Sequence, residues 1–329
     1  MKKKLRKLRL LIVGAGDVAR RLTTCVGVDE RVQWLGLARS ADSANALRQS
    51  RILPIVGDLD FLPSLKRAGA LARGASAVLH LAPPPGDGTD DPRMKRWLAA
   101  SATPGKLGRR PVERAPSSAI KRRSAIRPMN PLRNVYVSTT GVYGDCAGER
   151  IDETRRTKPA NARAKRRVAA ESRLRAFRSQ RYTILRAPGI YAAERLPVER
   201  LRAGTPALVA EEDVFTNHIH GDDLARAIWL AVFRGGGNRV VNIVDDGEQK
   251  MGDYFDQVAA AVGLPSPPRL PRALLMREVS PMLYSFMSES RRIDNTRLKR
   301  ELRLRFKYPT TAALLREMKP AAALQRSLL

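Results

Sequence analysis

The chain has 329 residues, and Lys+Arg 61 against Asp+Glu 32 leave a formal net charge of +29. An apolar fraction of 43% supports a sizeable core and excludes a wholly disordered chain, while no run reaches the ~18 apolar residues of a membrane-spanning helix. Two cysteines, Cys25 and Cys146, exclude a disulfide framework and a four-cysteine zinc site and fit a reducing, cytoplasmic setting.

The basic residues lie throughout the chain and aromatics make up only 5%. The charge therefore reads as a solvated surface, with nucleic acid limited to nonspecific attraction. The start, Met1 to Lys7 followed by Leu8 to Ala15, imitates a secretory leader. Arg9 interrupts its apolar stretch, and Asp17, Arg20 and Arg21 follow at once, so it reads as a basic tail before a buried strand.

In chain order, Leu10 to Val13 predicts a first strand, followed by a Gly14-Ala15-Gly16 turn and a helix from about Val18. Trp34 to Ala38 is a second strand, Ala41 to Ser50 a helix, Ile52 to Val56 a third strand and Ala77 to Leu81 a fourth. Residues 103–133 form a basic, proline-rich insertion with Glu113 as its single acid, read as an exposed and mobile segment. Asn134 to Ser138 is a fifth strand; a long helix from about Arg163 to Arg178 precedes a sixth, Tyr182 to Leu185. Apolar runs without alternation, separated by helices, predict a parallel sheet covered on both faces: an α/β, Rossmann-type doubly wound fold. Beyond residue 187 the rhythm weakens. Helices are expected over Asp222 to Phe233, Tyr254 to Val262, Arg272 to Leu275, Asp294 to Leu302 and Thr310 to Met318, with a strand over Val240 to Val244. The division expected is a dinucleotide domain over 1–187 and a smaller, mostly helical substrate lobe over 188–329, with 214–245 returning to the core.

Gly14-Ala15-Gly16-Asp17-Val18-Ala19 matches G-x-G-x-x-G/A between a strand and a helix. The first glycine permits a tight turn, the second lets the backbone approach a diphosphate, and the small third position allows close packing. The helix N-terminus adds free N–H groups. At the end of the second strand, Ala38-Arg39-Ser40 replaces the acid that would bind a ribose 2′-hydroxyl, and Arg39 can pair with a 2′-phosphate. NADP is therefore favoured, with NAD left open. Asp58 and Leu59, after the third strand, are placed for the adenine; Leu81, Ala82 and Pro83, after the fourth, for the nicotinamide side.

Further segments resemble the extended short-chain dehydrogenase/reductases, the NAD-dependent epimerase/dehydratase group. Val135 to Gly144 resembles the strand-five signature, with Thr139 four before Tyr143 of Val-Tyr-Gly. Leu185-Arg186-Ala187-Pro188-Gly189-Ile190-Tyr191 resembles the Arg-x-Pro-Gly-x-Tyr segment, and Asn217-His218-Ile219-His220-Gly221-Asp222-Asp223 the stretch returning from the substrate lobe. Arg292 to Lys299 with Tyr308-Pro309-Thr310 is similar to the group's C-terminus. The resemblance implies an oxidoreductase or epimerase, with Pro188 beside the coenzyme and a small-molecule substrate among Thr140, Arg186, Ile190, Asn217 and His218. A monomer or homodimer is expected.

The family's catalytic Tyr-x-x-x-Lys is missing. Anchoring on Pro159 and Glu171 puts Arg163 where Tyr belongs and Arg167 where Lys belongs. The family's phenol works as a general acid/base with its pKa lowered by the lysine; a guanidinium does not release its proton. Arg167 can still hold a ribose. Three readings remain open: another group moves the proton, with Tyr143 leading and Thr139 or Thr140 as its partner; the protein binds NADP(H) without turnover, as a sensor or scaffold; or the basic surface binds nucleic acid. Arg163 and Arg186 facing the cleft would favour an anionic substrate. No metal is expected. His218-x-His220-x-Asp222 reads better as cleft residue and helix start, Asp87 to Asp91 as a mobile loop beside the nicotinamide, and Cys146 as a buried structural thiol.

Overall fold

Alternate residues of the first strand, Leu8–Val13 (β1), enter two different cores. Leu10 and Ile12 pack with Leu22, Leu224 and Ile228 on one face; Leu11 and Val13 pack with Leu65, Trp97 and Leu174 on the other. A strand buried on both sides belongs to a helix-covered parallel sheet. The computed structural model describes residues 7–102 and 132–318, so all but Leu132 and Arg133 of the expected basic insertion lies outside the described residues.

The chain continues through Asp17–Val26 (α1), Val32–Ala38 (β2), Ala41–Gln49 (α2), Leu53–Val56 (β3), Lys66–Arg73 (α3), Ala77–His80 (β4), Pro92–Ser101 (α4) and Arg133–Thr139 (β5). It goes on through Ala162–Ala176 (α5), Arg181–Ala187 (β6), Gly221–Arg234 (α6) and Arg239–Asn242 (β7). These strands form one 7-stranded sheet in the order β7-β6-β5-β4-β1-β2-β3, and every pairing is parallel. This is the expected Rossmann-type doubly wound fold. The strand order reverses between β1 and β4, and a ligand crevice opens beyond the carboxyl ends of the strands at such a switch point.

The boundaries shift where tertiary contacts decide them. β2 begins at Val32, earlier than Trp34, because Val32 pairs with Leu8 of β1. β7 ends at Asn242, before Val244, because the Asp245 N–H turns away to the His218 carbonyl at 2.8 Å. The helix expected over Asp294 to Leu302 shrinks to a π-helical turn, Leu298–Leu302.

Beyond β6 the short strands Gly189–Tyr191 and His218–His220 pair in parallel. Met251–Ala261 (α7), Arg272–Glu278 (α8), Pro281–Met287 (α9) and Thr311–Met318 (α10) gather around a third core containing Tyr191, Phe255, Val258, Leu275 and Leu315. The tail is fastened through Asp223. Its buried carboxylate accepts the backbone N–H groups of Lys307 and Tyr308, each at 2.8 Å.

Candidate dinucleotide and substrate site

The turn between β1 and α1 is shaped by contact with β4. Gly14 has φ +93°, and a Cβ there would sit 2.3 Å from the Ala82 nitrogen. Ala82 is held at that distance because Leu81 and Ala82 both donate to the Val13 carbonyl, at 2.7 and 2.9 Å. Only glycine meets both demands. Gly16 precedes α1 as its N-cap and gives no side-chain cap; a Cβ on it would meet nothing within 4 Å. The helix end therefore has no side-chain cap and open space beside Gly16, an arrangement that suits a phosphate. Ala19 is buried against the core and Val18 packs at its edge. Asp17 is bound by Arg21 Nε at 3.0 Å and by Arg195 Nη1 at 3.2 Å.

Arg39 is exposed at the end of β2 and makes no ion pair among the described residues. Asp58 is half-buried after β3, its Oδ1 accepting the Asp60 N–H at 2.9 Å, and Leu59 is buried. Asp60 bonds to Arg93, which holds its carboxyl below the ordinary range.

A cavity of about 540 Å³ is lined by Pro83, Thr139, Thr140, Pro188, Ile190, Asn217 and His218, together with Arg163 and Arg167. Thr139 Oγ1 accepts the Gly141 N–H at 3.3 Å. Asn217 is locked at the amide, donating to the Arg291 carbonyl at 2.8 Å and accepting the Ile293 N–H at 3.1 Å. The His218 ring lies 4.3 Å from that of Tyr254, and burial lowers its pKa to about 4. His220 is engaged elsewhere: its Nδ1 accepts the Asp222 N–H at 3.1 Å, and its ring packs 4.0 Å from Tyr308. Among the described residues no group of three His, Cys, Asp or Glu is placed to hold a metal ion.

Arg163, Arg167 and Glu171 follow one another at four-residue spacing along one face of α5. Glu171 is the buried anchor. It accepts Ser138 Oγ at 2.7 Å, Arg186 Nη2 at 2.7 Å and Nε at 3.1 Å, and Arg175 Nη2 at 2.8 Å. Arg167 Nη1 donates to the Val137 carbonyl at 2.9 Å and the Tyr136 hydroxyl at 3.1 Å. The Arg163 guanidinium lies 4.2 Å from the Phe286 ring centre. Burial lowers the Arg163 pKa, yet neither arginine can serve as an acid/base at neutral pH.

Two expectations are corrected. Tyr143 does not line the cavity. The turn Thr140–Tyr143 folds it under β5, where its hydroxyl donates to Asn242 Oδ1 at 2.8 Å and burial raises its pKa. Gly144 enforces that turn: at φ +69°, a Cβ there would sit 2.1 Å from the Lys158 carbonyl oxygen. Arg186 does not face the cleft either, since both it and Glu171 are 2% exposed at the side chain and the Tyr143 ring covers its guanidinium at 4.7 Å. The Asp87 to Asp91 loop is exposed up to Asp90 and is bonded at three points. Arg166 Nη1 donates to the Gly88 carbonyl at 2.7 Å, Arg173 pairs with Asp90, and Asp91 caps α4 by accepting the Met94 N–H at 2.9 Å. Cys146 is buried.

Other residues reach the cavity that sequence reasoning missed. Arg195, Arg200 and Arg291 line it, as do Phe215, Phe255 and Phe286. Glu289, the cavity's one carboxylate among the described residues, pairs with Arg291 at 2.6 Å. Arg200 makes no ion pair among the described residues, and burial lowers its pKa. Arg195 and Arg200 carry no local pattern that could have marked them; Arg291 adjoins the Arg292-Ile293-Asp294 segment, which could have.

Residues 118–244 match the model of the NAD dependent epimerase/dehydratase family. The resemblance read from the sequence holds. Among solved structures, the chain is similar to a conserved protein of unknown function from Silicibacter pomeroyi DSS, with 26% identity, a TM-score of 0.71, and 94% of this chain and 97% of that one covered. It shares the fold of UDP-glucuronic acid 4-epimerase from Bacillus cereus, solved with NAD, at 15% identity, TM-score 0.65 and coverage of 97% and 99%. It also shares that of UDP-glucose 4-epimerase from Thermotoga maritima, solved with UDP-glucose, at 15% identity, TM-score 0.66 and coverage of 98% and 100%. No curated protein matches the chain. No helix among the described residues is long and apolar enough to cross a membrane.

Proposed function

We propose that the chain is an NAD(P)-binding protein of the epimerase/dehydratase kind, with NADP(H) preferred, that holds an anionic small molecule in the arginine-lined cavity. The observation that carries this reading is the β1–α1 turn, where Gly14 lies against Ala82 and Gly16, with open space beside it, leaves an uncapped helix end to receive a diphosphate. The residues present thus fit a dinucleotide. Solved proteins with this fold bind NAD, and Arg39, exposed beyond β2, suits a 2′-phosphate. Residues 1–187 would serve the dinucleotide and 188–329 the substrate, with 214–245 returning to the sheet.

When bound, the nicotinamide would supply hydride transfer. The chain's own contribution is chiefly electrostatic. Arg163, Arg166, Arg167, Arg195, Arg200 and Arg291 line the cavity against the single acid Glu289, so a carboxylate or phosphate entering it gains charge-assisted hydrogen bonds. Arg167, anchored through one nitrogen, keeps the rest of its fork for a ribose or substrate oxygen. Thr139 and Thr140 offer hydroxyls.

A second reading, binding without turnover, is favoured by the protonation chemistry of these walls. His218 is neutral at pH 7 and a weak base, burial raises the Tyr254 pKa, Tyr143 is withdrawn, and Arg163 replaces the family's phenol. The test is a fluorescence titration with NADPH and NADH at fixed salt, using the wild type and Arg39→Asp. Tighter binding of NADPH, with that preference lost in the variant, is expected; absence of binding by either coenzyme overturns both readings. Turnover on a panel of anionic alcohols and aldehydes, followed by NADPH consumption, separates enzyme from sensor.

A further inference from the structure

We infer that Arg195, contributed by the segment after β6, is a binding residue for the coenzyme diphosphate and is held ready for it by Asp17. The inference rests on the dinucleotide reading above. Asp17 is the first residue of α1, directly after Gly16, so it places a negative charge in the helix turn that would receive a diphosphate. An acid there suits the positive end of an empty helix, but it repels an arriving anion.

Two arginines hold that carboxylate closely, and they differ in freedom. Arg21 is 16% exposed and is shared among Asp17 at 3.0 Å, Asp222 at 2.6 Å and Glu194. Its pKa is raised by these carboxylates despite its burial, and three acids fix it in place. Arg195 is 39% exposed and has Asp17 as its single acidic partner among the described residues, at 3.2 Å. Arg195 also lines the cavity. It therefore spans the gap between the phosphate turn and the substrate space, on the short turn Ala193–Arg195 that follows the strand Gly189–Tyr191. A planar guanidinium fork binds a carboxylate or a phosphate equally well. When a diphosphate arrives, Arg195 can turn its guanidinium from Asp17 to a phosphate oxygen, which offsets the repulsion. Arg20, 60% exposed and 3.5 Å from Asp17, does not line the cavity.

The test uses the full chain and compares NADPH with adenosine 2′-monophosphate, which has the 2′-phosphate and lacks the diphosphate. Arg195→Ala is expected to weaken NADPH about tenfold, one charge-assisted contact, while leaving adenosine 2′-monophosphate within about twofold. Arg195→Lys should recover part of the loss. Wild-type strength for NADPH in Arg195→Ala, or an equal loss for both ligands, overturns the inference while leaving the dinucleotide reading intact. If the wild type binds neither ligand, the dinucleotide reading falls and this inference with it.

Discussion

Glu171 and Arg186 form a two-point ion pair, Oε1 to Nε at 3.1 Å and Oε2 to Nη2 at 2.7 Å, with both side chains almost wholly excluded from solvent. The pair ties α5 to β6, and Ser138 adds β5 through a hydroxyl donated at 2.7 Å. It sets the register of α5, and so fixes which residues one and two turns earlier reach the cavity. Arg186 Nη1 is left buried without a hydrogen-bond partner among the described residues. Removing Glu171 would strand the whole guanidinium, and breaking a buried pair from one side costs about 3–5 kcal/mol. Glu171→Ala is expected to destabilise the fold by that amount. Urea denaturation showing a loss below about 1 kcal/mol would contradict the structural role given to this pair.

Arg167 is clasped by the Val137 carbonyl and the Tyr136 hydroxyl. In the function proposed above it holds the coenzyme rather than relaying protons. Arg167→Ala should weaken coenzyme binding about tenfold, and Arg167→Lys should do so less. Equilibrium titration with NADPH checks both. A variant that binds normally would place Arg167 with the scaffold alone.

His80 lies between Trp97 and Tyr136 with both ring nitrogens buried and without a hydrogen-bond partner among the described residues, and burial lowers its pKa to about 3. Because the unfolded chain takes up this proton near pH 6.5, it binds more protons than the fold between that pH and about 3, so stability falls as the medium is acidified through this window. The loss is on the order of a few kcal/mol at most. His80→Phe should flatten this acid limb while leaving stability at pH 7 unchanged or slightly higher. Denaturation midpoints from pH 7 to pH 4 measure it, and a wild-type slope in the variant would exclude His80 as the source.

Much of the fold was legible because its signals are local. Unbroken apolar runs such as Leu10 to Val13, separated by helical stretches, report a sheet buried on both faces whatever the neighbouring strand is. The turn at Gly14 was legible for the same reason: the G-x-G-x-x-A spacing describes one loop, and only the identity of its backing residue, Ala82, comes from far away. Thr139, Arg163, Arg167, Asn217 and His218 were placed at the cavity by their motif positions. Tyr143 and Arg186 were misplaced because a motif names a residue without saying which way its side chain faces, and both turn inward to partners distant in sequence, Asn242 and Glu171.

The sequence by itself determined the doubly wound sheet, the tight glycine turn after β1 and the presence of arginine at 163 and 167, since hydrophobic period, glycine placement and residue identity are all written within a few neighbouring positions. Only the tertiary structure decided that Arg195, Arg200, Phe286 and Arg291 surround the cavity, that Tyr143 is withdrawn from it, and that Arg195 reaches Asp17. Those relationships join segments up to 178 residues apart. Packing of the lobe against the sheet creates them, so no local pattern could carry them.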